Sequence, residues 1–168
     1  MYVIEPLGEQ HPREAFSCDH ADITAYFRKR ALADNDAHKV RIQVVVRENE
    51  ALPIGFYSLV VGTLAPREIS QFNRKFGKTR PVPSIYLAAV AVQSEECRKG
   101  IGALLMLDAF EKTMQIAGLA GVACMTLDAV DETKARWYET LRFQRFGAHE
   151  DGRIKMFIPL ATVQDALT

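Results

Sequence analysis

The stretch Ser84–Gln115, SIYLAAVAVQSEECRKGIGALLMLDAFEKTMQ, constrains this chain more than any other. It opens with an apolar run, Ile85–Val92, passes through a polar connection, Gln93–Cys97, and reaches Arg98, Lys99, Gly100, Ile101 and Gly102 before a long helical pattern begins. Strand, glycine turn and helix in that order build an anion site. The first backbone N–H groups of a helix have no internal acceptor, and the helix dipole is positive at that end. Two glycines let the backbone approach a phosphate, and two cations precede them. The stretch is therefore expected to hold a diphosphate.

The apolar run predicts a strand buried on both faces. In the helix, Ala103, Leu107, Phe110, Met114 and Ala117 are expected to form the buried line, opposite Asp108, Glu111, Lys112 and Gln115. Gly118 and Gly121 end it. Val122–Leu127 follows as a strand, which gives a βαβ unit and a parallel pair.

Around this centre the chain reads as a strand at Tyr2–Ile4, a helix over Ala21–Ala33 capped by Asp19 or Asp22, and a strand pair, Arg41–Glu48 and Ile54–Leu64, joined by the turn Asn49–Pro53. A short helix is expected over Pro66–Phe76 and a loop over Gly77–Pro83. A helix over Asp131–Leu141 and strands at Phe143–Phe146 and Ile154–Leu160, joined by Gly147–Arg153, complete the order. No linker or composition break divides it, so one α/β domain over residues 1–168 is expected. Its sheet is mixed and mostly antiparallel, with the central parallel βαβ unit and helices on both faces.

Charge and composition exclude several classes. The 168 residues carry 21 Lys plus Arg against 21 Asp plus Glu, so only a local patch could favour nucleic acid. Two groups qualify: Arg28, Lys29, Arg30, Lys39 and Arg41, and then Arg67, Arg74, Lys75, Lys78 and Arg80. Three widely spaced cysteines, Cys18, Cys97 and Cys124, make neither a disulfide framework nor a zinc motif, and free thiols fit a cytoplasmic protein. Tyr2–Pro6 is unlike a signal peptide, and no apolar run reaches the roughly 20 residues that span a bilayer.

The phosphate motif is neither of the two commonest. The dinucleotide fingerprint G-x-G-x-x-G fails because Leu105 stands at its third glycine. Gly77-Lys78-Thr79 looks like the end of a P-loop, but Phe72 holds the place of its first glycine and a helix precedes it. What remains, Cys97-Arg98-Lys99-Gly100-Ile101-Gly102 after an apolar strand, resembles the Q/R-x-x-G-x-G/A acetyl-CoA motif of the GCN5-related N-acetyltransferases. The chain matches from Gly100 onward; Cys97 replaces the usual glutamine or arginine. The element order fits that family throughout.

The resemblance implies acetyl-CoA as cosubstrate and no metal. It implies that the backbone N–H groups of Cys97, Arg98, Lys99, Gly100, Ile101, Gly102 and Ala103 hold the coenzyme pyrophosphate. The pantetheine arm would then pair with the edge of Val90, Ala91 and Val92 as a peptide strand would. Ala135-Arg136-Trp137-Tyr138-Glu139-Thr140-Leu141-Arg142-Phe143 is similar to the family's A-x-x-F-Y-E-x-x-G-F segment, which makes Tyr138 the acid for the departing thiolate. Trp137 is expected to be a packing residue. Arg142 stands where glycine is usual, and arginine does not readily adopt the positive φ that glycine tolerates there.

No general base is evident. His11, His20, His38 and His149 are scattered and read as surface residues; Glu95, Glu96 and Asp128 near strand ends are weak candidates. That mildly favours an α-amino acceptor, whose pKa near 8 lies well below the roughly 10.4 of a lysine amine.

Four further segments resemble the acetyltransferase toxins of toxin–antitoxin pairs. They are Phe16-Ser17-Cys18 with Ile23 and Phe27, Gly55-Phe56-Tyr57-Ser58-Leu59, Pro81-Val82-Pro83, and Leu127-Asp128-Ala129-Val130-Asp131. Ala89 departs from an arginine usual in that subgroup, and the neutral charge departs from its basic tendency. This resemblance implies transfer to the amino group of an aminoacyl-tRNA, gripped through the two basic groups, and a small DNA-binding antitoxin as partner; homodimers are common in the family. A small-molecule amine or protein N-terminus as acceptor, and a non-catalytic acyl-CoA-binding module, are the alternatives.

Overall fold

A computed structural model describes residues 1–168. Seven strands hydrogen-bond in the order β1-β2-β3-β4-β5-β7-β6, mostly antiparallel with one parallel pair, β4 and β5. The chain divides into two compact units, Met1–Val60 with Ala88–Ala109, and Val61–Leu87 with Phe110–Thr168. The divisions fall inside β3 (Gly55–Leu64), β4 (Val82–Val92) and α4 (Ile101–Ala117), not at linkers.

In the first unit, β1 (Tyr2–Pro6) pairs antiparallel with β2 (Arg41–Arg47), and β2 with β3 in the register Val44↔Phe56. Its core centres on three rings: Phe16 lies 4.7 Å from Phe27 and 5.6 Å from Phe56, and Phe27 stacks on Phe56 at 4.2 Å. All three are buried, with Leu7, Ile42, Val44, Val46 and Ala91 around them. Each such side chain contributes about 1.5–3 kcal/mol by leaving water. So Phe16 and Phe27, noticed as part of a toxin-like pattern, are core residues. Gly55 has a packing reason too: a Cβ there would meet Ala91 O at 3.0 Å, Val45 Cγ1 at 3.0 Å and Leu105 Cδ1 at 3.2 Å.

In the second unit β4 pairs with β5 (Cys124–Ala129) from Ser84↔Cys124 to Leu87↔Leu127. Strand β7 (Ile154–Pro159) pairs antiparallel with β5 and with β6 (Gln144–Ala148). A cluster of Ile69, Phe72, Val82, Cys124 and Phe157 packs α3 (Ser70–Phe76) on these strands.

Several expectations are corrected. The helix expected over Ala21–Ala33 is two, α1 (Ala21–Lys29) and α2 (Ala31–Asp36), broken where Arg30 leaves helical geometry at φ −127°. Its cap is His20, whose Nδ1 accepts from Ile23 N at 3.4 Å; Asp22 lies inside the first turn, and Asp19 is not the cap. Pro66–Phe76 is a 3₁₀ turn, Pro66–Glu68, and then α3, interrupted at the extended Ile69. The expected loop gives way to β4 at Val82. Pro83 is tolerated there because its carbonyl, not its missing N–H, is used: Ala123 N donates to Pro83 O at 2.9 Å. The last strand stops at Pro159, and α6 (Leu160–Ala166), unread in the sequence, follows.

The buried face of α4 is also different. Ile101, Leu105, Met106, Ala109, Phe110 and Thr113 are buried, while Ala103 is exposed and Leu107 is 47% exposed. Residues 101–110 are apolar on nearly every side, so helical periodicity does not select a face there and packing decides it.

Candidate active site

The turn between β4 and α4 is built inside the first unit. β4 runs on to Val92, past its last paired rung with β5 at Leu87, so Val90, Ala91 and Val92 lie beyond that parallel ladder. Gln93 then anchors the turn: its N–H donates to Ile54 O at 2.8 Å, and its Oε1 accepts from Ser17 N at 3.0 Å. Ser94 N donates to Ser17 O at 2.9 Å. The Phe16-Ser17-Cys18 segment thus clamps this turn by its main chain.

Ser94–Glu96 forms a 3₁₀ turn, and Cys97 N donates back to Ser94 O at 3.5 Å. Cys97 is exposed, with its Sγ against Gln93 O at 3.6 Å. Arg98 and Gly100 both have positive φ, 64° and 82°, and α4 starts at Ile101. Leu104 N is the first to reach a helical acceptor, Gly100 O at 3.1 Å. The N–H groups of Ile101, Gly102 and Ala103 therefore form the open first turn of α4, where positive dipole and free donors coincide.

Glu96 holds the turn down. It is buried and accepts from Arg47 on β2 and from Lys99 Nζ at 3.0 Å. The hydrogen bond from Lys99, then that from Arg47, lowers its pKa below the ordinary carboxylate value. A carboxylate held ionised in this way is a poor proton acceptor, so Glu96 is a structural anion and not a base. Of the two cations before Gly100, Lys99 is engaged by this carboxylate.

In the second unit, α5 (Glu132–Thr140) starts on Asp131, whose side chain accepts from Lys134 N at 2.8 Å. Its end is a Schellman motif. Phe143 N donates to Tyr138 O at 3.2 Å and Arg142 N to Glu139 O at 3.0 Å, with Arg142 left-handed at φ 75°. The apolar contact that goes with such a motif is Tyr138 against Phe143, ring centroids 5.7 Å apart. The helix stop therefore positions Tyr138. The phenol is buried, and burial pushes its pKa up, which keeps it protonated at neutral pH. Trp137 is half-buried and packs edge-on against Tyr138 at 5.0 Å.

The histidines are not all surface residues. His11 is fully buried; its Nδ1 accepts from Gly8 N at 3.0 Å and its Nε2 lies 2.7 Å from Glu5 Oε1. Local partners satisfy both ring nitrogens, which makes burial tolerable. His38 is exposed and left-handed at φ 59°. His149 is half-buried, with Nε2 2.8 Å from Asp128 Oδ1. Tyr86 donates to Asp128 Oδ2 at 2.8 Å, and burial together with that carboxylate raises the Tyr86 pKa to about 12. Glu95 is exposed in the 3₁₀ turn.

The two basic groups lie one in each unit. In the first, Arg28 Nε donates to Phe16 O at 2.6 Å, Arg30 covers the Tyr26 ring at 5.5 Å and Lys39 faces Asp34 at 3.9 Å. In the second, Arg67, Arg74, Lys75, Lys78 and Arg80 are all exposed. No helix is long and apolar enough to cross a membrane.

No protein-family model matches the chain. A probable toxin TacT of Sinorhizobium fredii is 26% identical over 177 residues, covering 98% of this chain and 94% of the relative. A tRNA-acetylating toxin of Mycobacterium tuberculosis is 29% identical over 130 residues, covering 77% of this chain and 76% of the relative. Among solved structures, AtaT complexed with acetyl-methionyl-tRNAfMet matches with a TM-score of 0.87 at 16% identity over 100% of both chains. A tyrosine-to-phenylalanine variant of the AtaT toxin, bound to the C-terminus of the antitoxin AtaR and to acetyl-CoA, matches with a TM-score of 0.81 at 16% identity over 98% of this chain and 96% of that one. The resemblance read from the sequence is borne out: the chain is a sequence relative of toxins that include a tRNA-acetylating one, and it has the fold of AtaT.

Proposed function

We propose that this protein is an acetyl-CoA-dependent N-acetyltransferase, a single catalytic domain over residues 1–168, that acetylates the α-amino group of an aminoacyl-tRNA as the toxin of a toxin–antitoxin pair. The observation that carries the reading is the turn into α4. Positive φ at Gly100, free N–H groups at the helix start and β4 running beyond its parallel ladder are what a diphosphate followed by an extended amide arm requires. Sequence kinship to a tRNA-acetylating toxin supports the acceptor, and the AtaT complexes with acetyl-methionyl-tRNA and with AtaR support the partners.

In this reading the backbone N–H groups of Cys97–Ala103 receive the pyrophosphate, and the edge of Val90, Ala91 and Val92 receives the pantetheine amides. Cys97 shapes the turn from its first position. The amine attacks the thioester carbonyl, and the C–S bond breaks as the Tyr138 phenol protonates the departing thiolate. A phenol kept neutral by burial suits that task. The cations of residues 28–41 and the exposed cations of residues 67–80 are the two groups offered to RNA phosphates, each in its own unit, and the protein works in the cytoplasm, where charged tRNA is found.

The test incubates the purified protein with labelled acetyl-CoA and charged tRNA, with Tyr138→Phe alongside. Label is expected on the aminoacyl group, with kcat at least about 10²-fold lower in the variant at unchanged coenzyme affinity. No label in RNA overturns the acceptor assignment. Turnover by Tyr138→Phe at the wild-type rate overturns the acid.

A further inference from the structure

The end of β5 carries a polar cluster that the acid step does not use. Asp128 lies one residue beyond Leu127, the last rung of the parallel β4–β5 ladder. In open sheets with parallel strands, ligands gather at the strands' carboxyl ends, and β4–β5 is the parallel pair of this sheet. The side chain of Asp128 is 17% exposed and that of His149 33%, so the pair is sheltered but reachable.

Both carboxylate oxygens of Asp128 are occupied. Oδ2 accepts from Tyr86 at 2.8 Å, with Arg153 Nη1 3.7 Å away, and Oδ1 lies 2.8 Å from His149 Nε2. An ionised carboxylate only accepts, so the proton of a neutral His149 must sit on Nε2. The lone pair is then on Nδ1. An aspartate that fixes the tautomer of an imidazole, leaving its other nitrogen basic, is the arrangement that general-base histidines need.

The charged groups facing this pair come from several elements. Tyr86 comes from β4; Arg153, itself bound to Asp151 at 2.9 Å, comes from the loop before β7; Lys155 of β7 stands opposite Asp128 in register but pairs with Glu68 at 3.8 Å. The loop geometry is closed by His149 N donating to Arg153 O at 2.8 Å.

We infer that His149, oriented by Asp128 and Tyr86, accepts the proton of the acceptor amine in the acetyl transfer proposed above, on which this inference rests. As nitrogen bonds to the thioester carbon, its proton passes to His149 Nδ1. The C–S electrons leave on sulfur, which takes the phenolic proton of Tyr138. Solvent then removes one proton from His149 and returns one to Tyr138, so amine and acetyl-CoA become amide and free thiol with nothing left over. The α-amino group attacks as the free base, and the one proton it must shed as nitrogen bonds to carbon is the proton that His149 takes. His149 is the catalytic residue here; Asp128 and Tyr86 position it.

The experiment measures kcat and KM against pH, with charged tRNA and acetyl-CoA, for wild type, His149→Gln and Asp128→Asn. Thermal melts and acetyl-CoA titrations on each protein check folding and coenzyme binding. His149→Gln is expected to lose about 10²-fold in kcat with KM little changed, and the acid limb of its pH–rate profile to lose one ionisation. Asp128→Asn is expected to lower kcat in the same direction, because asparagine no longer enforces the tautomer. A folded, coenzyme-binding His149→Gln with wild-type kcat and profile overturns the inference, as does an effect confined to the KM for tRNA. Wild type that transfers no label fails the acetyltransferase reading itself, a result distinct from either.

Discussion

Gly100 and Arg142 both turn left-handed at the end of a helix of the proposed site, as Arg98 also does three residues before α4, and the two are not the same kind of residue. Gly100, at φ 82°, leads into α4; Arg142, at φ 75°, leads out of α5. A left-handed conformation costs an L-residue with a Cβ roughly 1–2 kcal/mol. At the end of α5 that cost is offset by two main-chain hydrogen bonds and by the Tyr138–Phe143 ring contact, so arginine persists. At the start of α4 a Cβ on Gly100 would meet no atom within 4 Å, so packing is not what calls for glycine there. A helix stop needs only its own backbone to close, and it tolerates strain. A helix start that receives a ligand must also keep its donors open.

That contrast can be broken at Gly100 most sharply. Gly100→Ala is expected to weaken acetyl-CoA binding about 5- to 30-fold, since holding the turn in its binding geometry then costs about 1–2 kcal/mol. Gly100→Asn separates the causes, because asparagine visits the left-handed region more readily. Near-normal affinity in the asparagine variant would mean φ alone matters; loss equal to that of alanine would mean that the side chain obstructs the ligand. Titration calorimetry reads both.

A smaller effect is expected from Glu96, which ties the same turn to β2. Its folded pKa is lowered, so its contribution is present above the unfolded carboxylate value and is lost as pH falls through the folded one. Acetyl-CoA affinity should therefore weaken on acidification below about pH 4. In Glu96→Gln the affinity should be weaker at neutral pH and that acid dependence reduced. An unchanged affinity in the glutamine variant would show that the Ser17–Gln93 clamp suffices.

The smallest effect lies at the other turn. Arg142→Gly should stabilise the protein by about 1 kcal/mol, which is about 2–4 °C in Tm for a chain of this size. A lower Tm would show that the arginine side chain contributes more than its backbone costs.

Much of this was legible in the sequence because it is local. Strand, turn and helix at residues 84–115 follow from composition and from Gly100, since a positive φ and an open helix end belong to neighbouring residues. The parallel β4–β5 pair followed from the βαβ order. The glycine-like demand at position 142 was visible too, although the sequence could not say that arginine would meet it. The face of α4 was misread because an apolar run offers no periodic contrast. The ends of β4, β7 and α1 moved by residues whose fate depends on pairing.

By itself, then, the sequence determined most of the elements, their order and the turn into α4. Tertiary structure decided which distant side chains meet. Glu96 finds Arg47 across 49 positions, Gln93 finds Ser17 across 76, Tyr86 finds Asp128 across 42, and His149 finds Asp128 across 21. No spacing announces such pairs, because they arise from strand register and loop closure, which bring together residues that share no local signal. For that reason His11, which read as a surface residue, is a satisfied core histidine, and His149, which read the same way, stands at the end of the parallel strands with an aspartate behind it.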